Sequence, residues 1–305
     1  MSDAAVAAGV DARQSLQASR VAIDGALEEF CALFLDEMPS GVANAIRYSL
    51  LGEGKRLRPV LVLAAFEAAN GRGDATRLAA AVEVVHAYSL VHDDLPCMDD
   101  DDMRRGRPTV HKAFGVRAAT AAGLAMVPLA VRCALAGAAA LGLDDAHARR
   151  VIAELMRAAG AGGMIGGQLL DLEGEGRALD LTELEQIHSA KTGALICAAV
   201  RIGGIAAGAS DDRIDALGVY GRAVGLAFQI ADDVLDVTET TDVLGKTAGR
   251  DAVLRKGTYP ALLGVEGAKA RAHALVEDGC AALRSAGLLT AQLEHLARYV
   301  VARRN

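Results

Sequence analysis

The sequence predicts an all-α protein, and three observations carry that expectation. Alanine and leucine, both strong helix formers, dominate a chain of 305 residues that is 52% hydrophobic, only 3% aromatic and without tryptophan. No long stretch alternates apolar with polar residues, as half-buried strands would. Apolar segments of helical length are divided by Gly, Pro and Asp clusters, which start and stop helices. With no linker and no internal repeat, a single domain over 1–305 is expected, large enough to bury a substantial core.

The elements follow from these signals in order. Residues 1–15 are small and polar and are expected to fray. A first helix is expected over Gln17–Leu35, with Glu28 and Glu29 on its wet side, broken by Pro39-Ser40-Gly41. A second starts near Val42 and ends at Gly52-Glu53-Gly54, where Lys55-Arg56-Leu57-Arg58 begins. Pro59 suits the first turn of the third helix, which stops near Asn70 before Gly71 and Gly73. Thr76 is the expected cap of the fourth. Pro96 cannot sit inside a regular helix, so this helix ends at Asp93 and Asp94, and Leu95–Met98 bulges to bring Asp99 back toward them.

Beyond Gly115 the pattern is helical to about Leu141, with a kink expected at Pro128. A further helix opens at Leu143-Asp144-Asp145 and runs toward Gly160–Gly163. Gly166 and Gly167 allow close packing beside Gln168 and Asp171; Glu173–Asp180 reads as a loop. Thr182-x-x-Glu185 is a capping-box signature for a helix holding Lys191. Ser210-Asp211-Asp212 begins a long helix, Thr238–Thr258 is a polar, Gly-punctuated candidate lid, and the last helices end at Arg303-Arg304.

Charge and cysteine usage narrow the function. A net charge of −7 argues against a nucleic-acid partner, whose anionic backbone needs a basic face. The five cysteines are odd in number and scattered, which fits a reducing cytoplasm rather than a disulfide framework or zinc site. The start of the chain lacks signal-peptide character. The apolar run Ala118–Val131 is too short to span a bilayer, so a soluble, cytoplasmic protein without membrane insertion is expected.

The chemistry concentrates between Ala81 and Gly115. Here an apolar helix gives way to Asp93, Asp94 and Asp99–Asp102, then to Arg104, Arg105 and Arg107. Carboxylates this dense repel unless a cation sits among them. Ligation by oxygen alone suits a hard cation, and magnesium is usually held by a few carboxylates plus substrate phosphates. Arginine forks match phosphate oxygens. A solvated charge run is the common alternative, but a second copy, Asp232-Asp233-x2-Asp236, weakens it; on a helix Asp232 and Asp236 share a face.

With these motifs in view, the chain resembles the trans-isoprenyl diphosphate synthases, most of all the bacterial farnesyl diphosphate synthases. The resemblance rests on Gly54-Lys55-Arg56-Leu57-Arg58-Pro59, Asp93-Asp94-x4-Asp99 with Arg104-Arg105, Gly167-Gln168-x2-Asp171, Lys191-Thr192-Gly193, Asp232-Asp233-x2-Asp236, and Gly245-Lys246-Thr247 through Lys256. It implies an isoprenoid synthase fold, a helical bundle around a central diphosphate and hydrocarbon cavity. It also implies a homodimer that condenses isopentenyl diphosphate with allylic diphosphates (dimethylallyl, geranyl) using magnesium, expected as three ions.

Under that resemblance Asp93, Asp99 and Asp232 are the first choices as metal ligands, with Asp94, Asp233 and Asp236 as direct or water-mediated partners. Arg104, Lys191, Lys246 and Lys256 would hold the allylic diphosphate. Lys55, Arg58, His86 and Arg105 would hold isopentenyl diphosphate, which in this family binds without metal. Lys191, Thr192 and Gln229 are the expected catalytic residues, lining the site near the developing cation. His86 lies two helical turns before Asp93, on its face.

Tyr88 and Ser89, five and four residues before Asp93, are expected to meet the growing chain. An aromatic there stops growth at fifteen carbons in the resembling enzymes, so farnesyl diphosphate is the expected product. The family pattern is broken at Ala122-Gly123-Leu124-Ala125-Met126, where it usually reads Ala-Gly-Asp-Ala-Leu, at Val116 and at Pro128. That helix helps wall the hydrocarbon pocket in the family, so these departures bear on rate and chain length more than on metal binding. A geranylgeranyl diphosphate synthase is the nearest alternative. A regulatory subunit should have lost one aspartate motif, a terpene cyclase would not need Lys55-Arg56-x-Arg58, and neither motif has the spacing of a calcium-binding EF-hand.

Overall fold

Alanine-rich sequence turns helical almost from the start in the computed structural model, which describes residues 3–238 and 257–303, with side chains from residue 15 onward. Helix α1 spans Asp3–Phe34 rather than starting at Gln17; the added stretch carries one glycine, Gly9, and no proline to stop it. Two compact units divide the chain, Met1–Leu155 with Ile202–Gly208, and Met156–Arg201 with Ala209–Asn305.

In the first unit α1 is followed by α2 (Ser40–Leu50), α3 (Leu57–Ala68), α4 (Thr76–Asp93), α5 (Val110–Phe114), α6 (Val116–Ala140) and the start of α7 (Asp145–Ala159). Helix α4 is the core element. Residues 78–85 are all buried, as a helix apolar on every side must be, and α4 packs against α1, α3 and α6. Its one buried acid, Glu83, accepts from Arg56 at 2.9 Å. Arg56 takes a left-handed backbone (φ 50°) at the start of α3 and also binds Asp24 Oδ1 and the carbonyls of Leu50 and Gly52, each at 2.9 Å. Deleting one partner of such a buried pair costs about 3–5 kcal/mol. This knot sets the Lys55–Arg58 segment against α4.

Local signals explain most helix ends. Helix α3 closes with Asn70 left-handed (φ 64°) and Gly71 N donating to Phe66 O at 2.8 Å. Thr76 is the first residue of α4 rather than its cap; the N-cap is Ala75, and Asp74 just before it accepts from Thr76 N through Oδ1 at 2.9 Å. A two-stranded hairpin, β1 (Met103–Arg104) with β2 (Arg107–Pro108), interrupts the otherwise helical unit. Pro128 lies inside α6. It removes a hydrogen bond to the Leu124 carbonyl, and both residues are exposed, Leu124 at 64%, so the lost bond faces solvent. Leu124 and Pro128, expected on the wall of the hydrocarbon pocket, thus lie on the outer side of α6.

The second unit contains α8 (Met164–Gly174), α9 (Leu181–His188), a π-helical turn (Ser189–Gly193), most of α10 (Ala194–Ala206), α11 (Asp211–Thr238), α12 (Tyr259–Ser285) and α13 (Ala291–Ala302). Helix α11 is its spine, packed on α12, α13 and the π turn. The capping box of α9 is Asp180 with Glu183, two residues upstream of the expected pair. Helix α8 runs on through Glu173, where the loop was expected to begin. Two stretches, Val116–Ala140 and Leu181–Ala206, are long and apolar enough to cross a membrane by length and composition, and 50% and 61% of them is buried inside the fold. Lys246, Lys256 and nearly all of the expected lid lie outside the described residues.

Candidate active site

In the first unit the end of α4 builds the aspartate loop. Leu95 N donates to His92 O, Met98 N to Leu95 O, Asp99 N to Asp93 O at 2.8 Å, and Asp100 N to Leu95 O. These consecutive turns fold the chain back so that Asp99 stands beside Asp93. Asp94 is buried, 2% exposed. Arg104 clamps its Oδ1 through Nε and Nη2 at 2.7 and 2.5 Å, and reaches Asp101 at 3.3 Å. Burial holds the Asp94 carboxyl above its ordinary range, with the Arg104 guanidinium working against that shift. Arg104, expected on the allylic diphosphate, pairs with these two carboxylates through Nε and Nη2.

The hairpin aims the next arginine. Arg105 and Gly106 both have positive φ, 52° and 73°, the signature of a two-residue type I′ turn. Arg105 Nη1 donates to Glu53 O at 2.9 Å. Nearby, Arg58 Nη1 stands 3.3 Å from His86 Nε2. Burial first, then the guanidiniums of Arg58, Arg105, Arg104 and Arg56, push His86 well below its ordinary pKa. Its Nε2 therefore accepts from Arg58, and the imidazole adds no charge. The Lys55 carbonyl is fixed by Arg20 Nε and Nη2 at 3.1 and 2.9 Å. Arg58, His86 and Arg105 thus make a cationic cluster beside the aspartate loop rather than within it.

A pH prediction follows from His86. Above about pH 6.5, the ordinary imidazole value, folded and unfolded chains both hold it neutral and it contributes nothing. Below that, the unfolded chain takes up a proton that the folded one resists, so stability falls by up to about 1.4 kcal/mol per pH unit. Thermal melts between about pH 7 and 5 should show a shallower decline for His86→Gln than for the parent chain. Parallel declines would place the titration elsewhere.

Tyr88 is buried and meets His92 edge-on, ring centroids 5.2 Å apart. Burial, then the nearby Asp93 charge, raises its phenol above the ordinary value. Ser89 is turned into its own helix, its Oγ donating to His86 O at 2.8 Å.

In the second unit an open cleft gathers Asp171, Lys191, Thr192, Gln229, Asp232 and Asp233. Two glycines make that possible. A Cβ on Gly167 would lie 2.2 Å from Lys191 N, and one on Gly225 would lie 2.8 Å from Gly193 Cα. The backbones of α8 and α11 can therefore close on the π turn, a distortion common at functional sites. Lys191 Nζ binds Asp171 Oδ2 at 2.7 Å. Thr192 Oγ1 donates to Gln229 Oε1 at 3.0 Å, and Gln229 Nε2 reaches Asp233 Oδ1 at 3.4 Å. Asp233 Oδ2 accepts from Tyr259 N at 3.0 Å, so both its oxygens serve protein donors. Asp232 Oδ1 accepts from Arg303 Nη2 at 2.7 Å.

Two residues of this site were missed. Asp171 stood in a recognised motif but was given no role, although a carboxylate beside the predicted Lys191 cation was the available signal. Arg303 had no signal, because its partner lies 71 residues away.

Among the described residues no group of three or more His, Cys, Asp or Glu side chains gathers to hold a metal ion. Magnesium does not need one, since it is commonly held by one or two carboxylates, waters and substrate phosphates. Every candidate donor is an oxygen, and the buried Asp236 Oδ1 has no hydrogen-bond partner among the described residues. The residues fit such an ion.

Comparison with known proteins decides the family. The profile of the polyprenyl synthetase family matches residues 39–283. The chain belongs to the polyprenyl synthetase family. This polyprenyl synthetase is 45% identical to farnesyl diphosphate synthase of Escherichia coli (strain K12) over 301 residues, 96% of this chain and 99% of that one. It is also 45% identical to the chloroplastic geranylgeranyl pyrophosphate synthase 7 of Arabidopsis thaliana over 244 residues, 79% of this chain and 70% of the relative. Among solved structures, an apo FPP/GFPP synthase of Zymomonas mobilis superposes with a TM-score of 0.82 at 36% identity, covering 96% of this chain and 99% of that one. Polyprenyl synthetases with the all-α fold are thus its structural neighbours.

Proposed function

We propose that the chain condenses isopentenyl diphosphate with dimethylallyl and geranyl diphosphates to make farnesyl diphosphate, its two units acting as one catalytic domain. The observation that carries this is the Arg58–His86–Arg105 cluster, a cationic group beside the first aspartate loop rather than within it. A second diphosphate needs such a metal-free cationic site, and an enzyme that only ionises one diphosphate does not.

The carbon–oxygen bond of the allylic diphosphate breaks first, its electron pair leaving with diphosphate. The double bond of isopentenyl diphosphate then forms the new carbon–carbon bond to the allylic cation, and a proton leaves. Magnesium, bound through Asp93, Asp99, Asp232 and Asp236 as up to three ions, would supply positive charge to the departing oxygens; one well-placed group of this kind is worth about 3–4 kcal/mol. Lys191, Lys246 and Lys256 hold the allylic diphosphate, while Arg104 acts through Asp94 and Asp233 orients Gln229. Lys55, Arg58, His86 and Arg105 hold isopentenyl diphosphate. The Thr192 hydroxyl and Gln229 carbonyl direct oxygen dipoles toward the developing cation.

The proposed assembly is a cytoplasmic homodimer. Its support is an apolar stripe on α6, where Val116, Leu124 and Leu135 are 47%, 64% and 47% exposed, a face that a second copy would cover.

The test is incubation with isopentenyl and dimethylallyl diphosphates plus magnesium, followed by product sizing. Fifteen-carbon diphosphate is expected, abolished by EDTA and restored by magnesium. A twenty-carbon product would assign the chain as a geranylgeranyl diphosphate synthase, and no condensation would overturn the proposal. Kinetics separate the two diphosphates. Arg58→Ala should mainly raise KM for isopentenyl diphosphate, and Lys191→Ala mainly impair the allylic partner, since each loses a charge-assisted bond to a different phosphate. Equal effects on both substrates would reject the division.

A further inference from the structure

The second aspartate motif has a partner that no motif contains. Arg303 follows α13 and folds back onto α11, where its guanidinium is held on several sides. Nε donates to Val300 O at 3.2 Å, and Nη2 donates to Phe228 O at 2.8 Å and to Asp232 Oδ1 at 2.7 Å. The guanidinium carbon stands 3.7 Å from the Phe228 ring centroid. Phe228 and Asp232 are four apart on one helix and so present one face. The arginine grips both.

Exposure separates the two ends of the ion pair. The Arg303 side chain is 3% exposed and the Asp232 side chain 33%. Asp232 lines the cleft that also holds Lys191 and Asp171. The guanidinium therefore lies behind the carboxylate, and the exposed part of the carboxylate meets the cleft. A cation arriving from the cleft would find one oxygen already engaged from the protein side, with the carboxylate plane set by a rigid fork.

We infer that Arg303 is the positioning residue of Asp232, holding one oxygen so that the other is presented to a divalent cation bound with diphosphate in the cleft. The inference rests on the metal–diphosphate reading of this site proposed above. Two other roles give different results. As a mere tie fastening the segment after α13 to α11, Arg303 would affect stability alone. As a competitor for Asp232, its removal would strengthen metal binding.

The experiment uses the full chain, with magnesium and inorganic diphosphate as the probe and thermal stability as the readout. In the parent chain, rising magnesium at fixed diphosphate should raise Tm to a plateau. For Arg303→Gln the magnesium midpoint should move up about 10–100-fold, the usual cost of losing a partner that orients a metal ligand. Arg303→Lys, which restores the charge without the fork, should recover part of that shift. The magnesium needed for half-maximal rate should move alike, with KM for isopentenyl diphosphate unchanged. An unchanged midpoint in Arg303→Gln beside a lowered baseline Tm would reduce Arg303 to a tie, and a lowered midpoint would make it a competitor; either overturns the inference alone. No magnesium-dependent shift in the parent chain would overturn the metal–diphosphate reading with it.

Discussion

Asp93→Ala and Asp232→Ala are each expected to lower kcat about a thousandfold or more, while the helical circular dichroism stays intact. Each removes a carboxylate from a different end of the proposed metal–diphosphate clamp, and losing even one preorganised stabilising group of this kind costs about a hundred- to a thousandfold. The fold is expected to survive the first change because the Asp93 carbonyl, which accepts from Asp99 N across the aspartate loop, is kept in alanine. The second change leaves the Arg303 guanidinium without its carboxylate, so Asp232→Asn, which still offers an oxygen to that arginine, is the control. Turnover within a few-fold of normal in either alanine variant would sink the clamp.

Tyr88→Ala is expected to move the main product from fifteen to twenty carbons. In the proposed site, with the diphosphate anchored at Asp93 and Asp99, the hydrocarbon tail would run back along α4 toward its start, where the buried Tyr88 ring, a little over one turn away, would be the first bulky obstacle. Ser89, the other residue expected to meet the chain, is smaller, and its Oγ donates to His86 O within its own helix. Removing a buried aromatic side chain costs about 3–5 kcal/mol, so product sizing belongs below the lowered Tm. Sole C15 product from Tyr88→Ala would remove Tyr88 as the floor.

Helix ends written in single residues were readable in advance. Pro96 ended α4, and the return of Asp99 followed from having to place a proline between two aspartate groups. Choices between adjacent cap residues were not. Helix α4 starts at Thr76 with Ala75 as its N-cap, and Asp180 with Glu183 outcompeted Thr182 with Glu185, because both pairs carry the right side chains and only the packed helix decides which backbone N–H is left open. Long-range pairings were harder still. That Arg104 turns to Asp94, or Arg303 to Asp232, depends on which carboxylate the fold buries, and no periodicity records that. The hairpin went unseen because two residues per strand, Met103–Arg104 and Arg107–Pro108, are too few to show alternation.

The π turn at Ser189–Gly193 has a consequence for how the chain tolerates change in length. A π turn accommodates one residue more than an α-helix uses for nearly the same advance. That surplus residue behaves as an insertion captured in the middle of a helix. Deleting one residue between α9 and α10 would let the segment relax into regular helix, rotating Lys191 and Thr192 by about 100° relative to α10. Lys191 would swing away from Asp171 and Thr192 from Gln229, although no side chain of the cleft had been altered. Drift in this lineage is therefore expected to be strict about residue count from Leu181 to Ala206, and looser about which residues occupy its outer face.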